Sequence, residues 1–163
     1  MDSLTLQTKQ ISKLLPKIAR NLRIARLIDE VKPGLTTSQL MVLIVLQDKE
    51  STPLSVGKLA EQLSVSFPSV SGIVDRLYKE KFVERKRSRE DRRLVHVELT
   101  NAGKAIVEKL LDAFEKLLFD VLKKMSETER KTIVRAAEKV TEFSIALSKD
   151  VYDEEISLSK VAT

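Results

Sequence analysis

The chain has 163 residues, of which 42% are hydrophobic and 33% charged but only four are glycine and four proline, a composition that favours long helices over turn-rich β structure. The net charge is +5 at pH 7, and the chain contains no cysteine. The lack of cysteine excludes disulfide frameworks, thiolate metal sites and thiol-based redox sensing, and the length fits one domain with or without an added oligomerisation element.

Helices are predicted first along the chain. Apolar residues recur at helical spacing over residues 4–29, where Pro16 predicts a kink. A second helix is predicted to begin at Thr36, because Thr36 and Gln39 form a capping-box pattern, and to end near Asp48.

Two short helices separated by a turn of about three residues form a candidate helix-turn-helix. Ser55 can cap the first helix, and Ser66 can cap the second, with Pro68 in its first turn. Apolar residues from Val70 to Leu77 mark the buried face of the second helix. The helical repeat then turns the following residues outward: Pro68, Ser69, Gly72, Asp75, Arg76 and Lys79.

The periodicity changes after this helix. Residues 82–86 and 94–99 alternate as strands do, and the hydrophilic residues 87–93 between them form a tip. The alternation places His96, the only histidine, opposite Val95 and Val97. We therefore expect His96 to be exposed rather than catalytic.

Two further helices complete the chain. Thr100 can cap a long helix ending near Lys124, and Ser126 with Glu129 forms a second capping box, opening a last helix through Leu147. The acidic residues 150–163 are taken as a frayed tail, although their apolar side chains could let them pack. The predicted segments are an N-terminal helix at 1–30, a helix-turn-helix lobe at 35–100, C-terminal helices at 101–149 and the tail at 150–163.

Neither a secretion signal nor a membrane span is evident. Residues 1–9 lack a cationic stretch followed by an apolar one, and the longest apolar run, Leu40–Leu46, is far shorter than the roughly 20 residues of a membrane-spanning helix. We expect a soluble cytoplasmic protein.

The positive charge is concentrated in one segment. Residues 76–93 contain nine basic and four acidic residues, whereas the rest of the chain carries 20 of each. Such a patch predicts a polyanionic partner, although a solvated charged loop would give the same run.

Three stretches in this order resemble the MarR family (multiple antibiotic resistance regulators) of winged helix-turn-helix proteins. They are LTTSQLMVLIVL at 35–46, LSVGKLAEQLSVSFPSVSGIVDRL at 54–77 and FVERKRSREDRRLVHVELTNAGKA at 82–105. The resemblance implies a mainly α fold with a small β-wing (α+β), in which N- and C-terminal helices of two subunits interleave. It also implies a homodimeric transcriptional regulator, acting as a repressor, that binds a pseudo-palindromic operator in double-stranded DNA.

DNA contacts are expected from two elements. The exposed face of the second short helix fits the major groove, with contacts to bases or adjacent phosphates from Ser66, Ser69, Ser71, Arg76 and Lys79, although serines are also simply good helix caps. By resemblance, Asp91 orients the wing and Arg93 contacts DNA in the minor groove. The other basic residues of the wing are expected to contact phosphates: Arg85, Lys86, Arg87, Arg89 and Arg92.

Two positions depart from the family pattern. Lys81 stands where the family usually has glycine, which indicates either a different backbone path or a strained left-handed lysine. Gly72 stands where members often carry a larger polar side chain, which puts base readout at that position in doubt.

Other functions have less support in the sequence. No phosphate-binding glycine loop, histidine-rich metal cluster or nucleophile-plus-base pair is present, so no enzyme activity, metal or cofactor is expected. A non-specific architectural DNA-binding protein remains an alternative. The resemblance also implies release by a small anionic or phenolic effector, for which no site can be assigned from the sequence.

Overall fold

The computed structural model describes residues 2–48, 54–87 and 95–161, with side chains described as far as residue 144. Seven helices and three short strands are present in these ranges. The helices are α1 (Ser3–Asn21), α2 (Ile24–Val31), α3 (Thr37–Asp48), α4 (Val56–Leu63), α5 (Phe67–Lys79), α6 (Asn101–Leu122) and α7 (Glu127–Val161). The strands are β1 (Leu54–Ser55), β2 (Val83–Arg87) and β3 (Val95–Leu99).

The core lies between α3, α4, α5, the sheet and the first half of α6. Its fully buried side chains are aliphatic and come from each of these elements. Removing this apolar surface from water is the main force that holds the lobe together. The largest of these side chains are Leu40, Leu43, Leu59, Leu77 and Leu110. The predicted mainly α fold with a small β-wing is confirmed.

The three strands form one antiparallel sheet in the order β1-β3-β2. Strands β2 and β3 pair from Val83 opposite Leu99, which are buried, to Arg87 opposite Val95, which are exposed. Strand β1 was not expected. Its two residues are too few to show an alternating pattern, and the strand is recognised by the pairing of Leu54 with Val97 and of Ser55 with His96.

The N-terminal segment is two helices, so the single predicted helix over 4–29 is wrong. Helix α1 continues across Pro16 and ends at Asn21, and α2 begins at Ile24. The separating residue, Arg23, has a left-handed backbone with φ 52° and ψ 41°. A proline removes one helical hydrogen bond, whereas a left-handed residue turns the chain and ends the helix.

The C-terminal helix is longer than expected. We expected a frayed tail from residue 150, but α7 continues to Val161. The sequence from Glu127 to Val161 contains no glycine or proline, so no residue type that stops a helix interrupts it.

Four predicted helix caps are present as hydrogen bonds. The Gln39 side chain accepts from the backbone N–H of Thr36 at 2.9 Å, and the Thr36 hydroxyl accepts from the Gln39 N–H at 3.2 Å. The same reciprocal pair joins Ser126 and Glu129, at 2.8 and 3.3 Å. Single caps are made by Ser55 on α4 and Thr100 on α6. These caps supply partners for amide groups that a helix start leaves unpaired.

Candidate nucleic-acid interface

Helix α5 buries one face and exposes the other. Val70, Val74 and Leu77 are completely buried in the core. A Cβ atom built on Gly72, on the opposite side, would meet no atom within 4 Å. The six residues that the helical repeat turns outward are all exposed: Pro68, Ser69, Gly72, Asp75, Arg76 and Lys79. Phe67 and Tyr78 of the same helix are exposed as well.

The start of α5 brings two of the predicted serines together. Ser66 has the extended backbone of an N-cap residue, but its side chain makes no capping bond to the backbone. Its hydroxyl instead hydrogen-bonds the hydroxyl of Ser69 at 2.8 Å, and both residues are exposed. Ser71 is half-buried, so it is less available to a ligand than the other two serines.

The end of α5 is a Schellman motif closed by a left-handed lysine. Lys81 has φ 63°. Of the two alternatives that the sequence left open, a different backbone path and a strained left-handed lysine, the structure therefore shows the second. The N–H of Phe82 donates to the carbonyl of Leu77 at 2.9 Å, and the N–H of Lys81 donates to that of Tyr78 at 3.0 Å. The motif turns the chain from α5 directly into β2.

This turn is fastened to the start of α6. The hydroxyl of Thr100 donates to the Lys81 carbonyl at 2.7 Å and accepts from the Gly103 N–H at 3.1 Å. The backbone N–H of Thr100 donates to the Phe82 carbonyl at 3.1 Å. One threonine therefore joins the helix that follows the wing to the turn that precedes it.

The wing is the hairpin of β2 and β3, and its base lies against α5. Arg85 of β2 donates to the carboxylate of Asp75 at 2.5 Å, and its guanidinium carbon is 5.5 Å from the centre of the Tyr78 ring. Both contacts fix the wing beside the exposed face of α5. Sequence reasoning missed Asp75 and Tyr78 as partners of Arg85, because no local pattern links a helix to the strand that follows its turn.

The other wing cations differ in their surroundings. Lys86 contacts the carboxylates of Glu98 at 2.7 Å and Glu84 at 2.9 Å, and these bonds raise the pKa of Lys86 because they stabilise its charged form. Arg87, the last residue of β2, is exposed. The remaining predicted wing residues lie outside the described residues: Arg89, Asp91, Arg92 and Arg93.

His96 is half-buried, so the prediction that it is exposed is wrong. Strand β1 pairs Ser55 with His96 along the edge of β3 that two strands alone would leave open. Its Nδ1 is buried and has no hydrogen-bond partner among the described residues.

The part of the chain that the structure describes contains neither a metal-binding cluster nor a membrane-spanning helix. Within residues 2–48, 54–87 and 95–161, no cluster of three or more His, Asp or Glu side chains is arranged to hold a metal ion. Of the helices described, none combines the length and hydropathy that a membrane-spanning segment requires.

Comparison with known proteins identifies relatives of this arrangement. Residues 35–95 match the model of the MarR family. The HTH-type transcriptional repressor YetL of Bacillus subtilis is 30% identical over 102 residues, which cover 63% of this chain and 61% of YetL. A MarR family protein from Bacillus stearothermophilus has a solved structure with a TM-score of 0.74 and 25% identity, covering 89% of this chain and 99% of that one. A mutant of Staphylococcus aureus MepR, bound to an oligodeoxyribonucleotide, shares the fold with a TM-score of 0.60 and 22% identity, covering 81% of this chain and 96% of that one.

Proposed function

We propose that the chain is a regulator of the MarR family, whose model matches residues 35–95, and that it binds a pseudo-palindromic operator in double-stranded DNA as a homodimer and represses transcription. The observation that carries this proposal is the contact of Arg85 with Asp75 and Tyr78, which sets the base of a basic hairpin beside the exposed face of α5. A helix and a hairpin side by side match a major groove and the adjoining minor groove.

In the proposed complex, α5 enters the major groove. Its N-terminal end carries the hydroxyls of Ser66 and Ser69, and its dipole favours a phosphate there. Arg76 and Lys79 lie further along the exposed face and contact a base or the sugar-phosphate backbone.

The wing enters the minor groove beside α5. Arg87 and the tip, with Asp91 orienting Arg93, supply positive charge where a narrow groove concentrates negative potential. Arg85 and Lys86 already contact carboxylates of this chain, so they reach phosphate only with the N–H groups that these carboxylates leave free. We therefore assign the larger share of phosphate contacts to Arg87, Arg89 and Arg92.

The homodimer is supported by apolar surface outside the lobe. No residue of α1 is buried in the described chain, and side chains such as Leu4, at 72% exposed, and Leu15, at 60%, face away from any core. Phe119 of α6 and Phe143 of α7 are 67% and 60% exposed. Contiguous apolar stripes on helices normally pack against a partner, and a second copy of the chain supplies matching stripes.

The proposal is tested by selecting duplexes from a random-sequence library and measuring affinity by fluorescence anisotropy. We expect the selected duplex to bind at least about 10³-fold more tightly than a scrambled duplex at the same salt concentration. Replacement of Arg76 by alanine should weaken binding about tenfold, whereas the control Lys109→Ala, at an exposed position of α6, should not. A ratio near one between the two duplexes would support the architectural alternative and reject the proposal.

Release by a small anionic or phenolic ligand, which the resemblance implies, completes the proposal. Titration of the selected complex with a phenolic carboxylate should lower the affinity for DNA. If the affinity for DNA is unchanged by a series of such ligands, release by a ligand is rejected, whereas the proposed DNA binding is not.

A further inference from the structure

We propose that Phe67, the first residue of α5, is a specificity-determining residue that contacts the 5-methyl group of thymine in the major groove. The inference rests on the proposed DNA binding and adds the chemistry of one base contact to it. It follows from which side chains the exposed face of α5 carries and which it lacks.

Phe67 is exposed at the end of α5 where a recognition helix meets bases. The side chain is 57% exposed, and Val65, on the other side of the N-cap residue Ser66, is 45% exposed. One exposed apolar side chain is common on protein surfaces. Here, however, both chain neighbours of the N-cap residue are apolar and exposed, so the tip of the helix presents an apolar surface.

The first two turns of α5 carry few groups that can read bases. From Phe67 to Val74 the sequence is FPSVSGIV, with no amide and no charged side chain. The hydroxyl of Ser69 is engaged with that of Ser66 at 2.8 Å. Gly72 offers no side chain, and the space above it is open.

Each base presents a distinct pattern of chemical groups in the major groove, so the residue types on α5 indicate which base they can contact. Guanine is read by arginine or lysine, adenine by asparagine or glutamine, cytosine by aspartate or glutamate, and the thymine methyl group by an apolar contact. Asp75, the first carboxylate along the exposed face, is held by Arg85. The N-terminal half of α5 therefore lacks the bidentate readers of guanine, adenine and cytosine, and it retains an apolar side chain suited to thymine.

The test uses the duplex obtained by selection, with thymines replaced by deoxyuridine in symmetric pairs, one in each half-site, which removes only the two methyl groups. At one such pair, we expect the wild-type protein to lose about fourfold in affinity per half-site, the equivalent of one buried methyl group. On the thymine duplex, Phe67→Ala should bind more weakly than the wild type by a similar factor. On the uracil duplex the two proteins should bind with equal affinity, because the two changes remove the same contact. The salt dependence of binding should be unchanged, since no phosphate contact is lost.

Phe67→Leu is the matched control, because it keeps an apolar side chain at the same position and should retain the uracil penalty. Urea denaturation of both variants separates loss of base contact from loss of folding. The inference is overturned if no thymine methyl contributes to affinity, or if folded Phe67→Ala keeps the full uracil penalty. If selection yields no preferred duplex, the proposed function fails as well, whereas a preferred duplex insensitive to uracil rejects the Phe67 contact alone.

Discussion

Gly103 lies where α6 passes close to the turn before the wing. A Cβ atom on Gly103 would be 2.1 Å from the carbonyl oxygen of Phe82, a backbone atom that Thr100 also holds. We expect Gly103→Ala to lower the free energy of unfolding by about 3 kcal/mol in urea denaturation, since the backbone must move to relieve the overlap. The control is Gly72→Ala, which meets open space and should raise stability by about 0.5–1 kcal/mol. Equal stability of the two variants would contradict the close approach.

Lys81 provides a second residue-scale test. Its φ of 63° costs a residue with a Cβ about 1–2 kcal/mol, a cost that glycine avoids. Lys81→Gly should therefore raise the free energy of unfolding by about 1 kcal/mol. This is a net value, because glycine loses more conformational entropy on folding than lysine does. Lys81→Ala keeps the left-handed strain and removes only the charge, so its stability should stay close to that of the wild type. A stabilised alanine variant would show that charge, not backbone strain, governs this position.

The left-handed positions show what the sequence can predict at this scale. Lys81 could be identified because a helix, a family glycine position and a strand meet there. Arg23 and Ser64 are also left-handed, with φ 52° at both. Ser64 closes α4 with the same pair of backbone hydrogen bonds as Lys81 closes α5, from the N–H of Ser64 to Glu61 and from the N–H of Val65 to Ala60. Neither Arg23 nor Ser64 is a residue type that marks a left-handed backbone in a sequence.

At the scale of elements, Gln39 connects α3 to the end of α5. Its side chain is 4% exposed, and its Nε2 donates to Glu80 at 3.2 Å, while Lys32 after α2 lies 3.9 Å from the other carboxylate oxygen. We expect Glu80→Ala to lower the free energy of unfolding by about 1 kcal/mol, because the buried amide loses its acceptor. Thermal or urea denaturation would measure this loss. Glu61→Ala, on the exposed side of α4, should have little effect, and equal losses in both variants would deny Gln39 this role.

Helix boundaries were predictable where a side chain fixes them. The caps at Thr36, Ser55, Thr100 and Ser126 are local hydrogen bonds between residues three apart, so sequence spacing is enough to find them. Strand β1 and the break between α1 and α2 depend on partners distant in the chain. Periodicity carries no information about such partners.

The candidate site likewise has a part that local sequence predicts and a part that it does not. The exposed face of α5 follows from the helical repeat and was predicted correctly. The contact of Arg85 with Asp75 was not, because the intervening Schellman turn sets the angle between α5 and β2. Two cations expected to face DNA, Arg85 and Lys86, are consequently tied to carboxylates of the chain itself.

At the scale of the whole molecule, the exposed apolar residues of α1 predict the oligomeric state. Ile18 is 50% exposed and belongs to this stripe. A glutamate buried at a subunit interface is strongly unfavourable, so Ile18→Glu should sediment as a monomer of 18.4 kDa, whereas the wild type should sediment at twice that mass. Gln10→Glu adds the same charge to α1 at a polar position and should remain dimeric. A dimer that survives Ile18→Glu would place the interface elsewhere.

The charge distribution provides the most direct test of DNA recognition by the whole molecule. The excess of positive charge lies in residues 76–93, so binding to DNA should release the counterions of the phosphates that this segment contacts. With about six phosphates neutralised per dimer, the logarithm of the affinity for the selected duplex should fall with the logarithm of salt concentration at a slope of about −5. Affinity that does not change with salt would contradict the account.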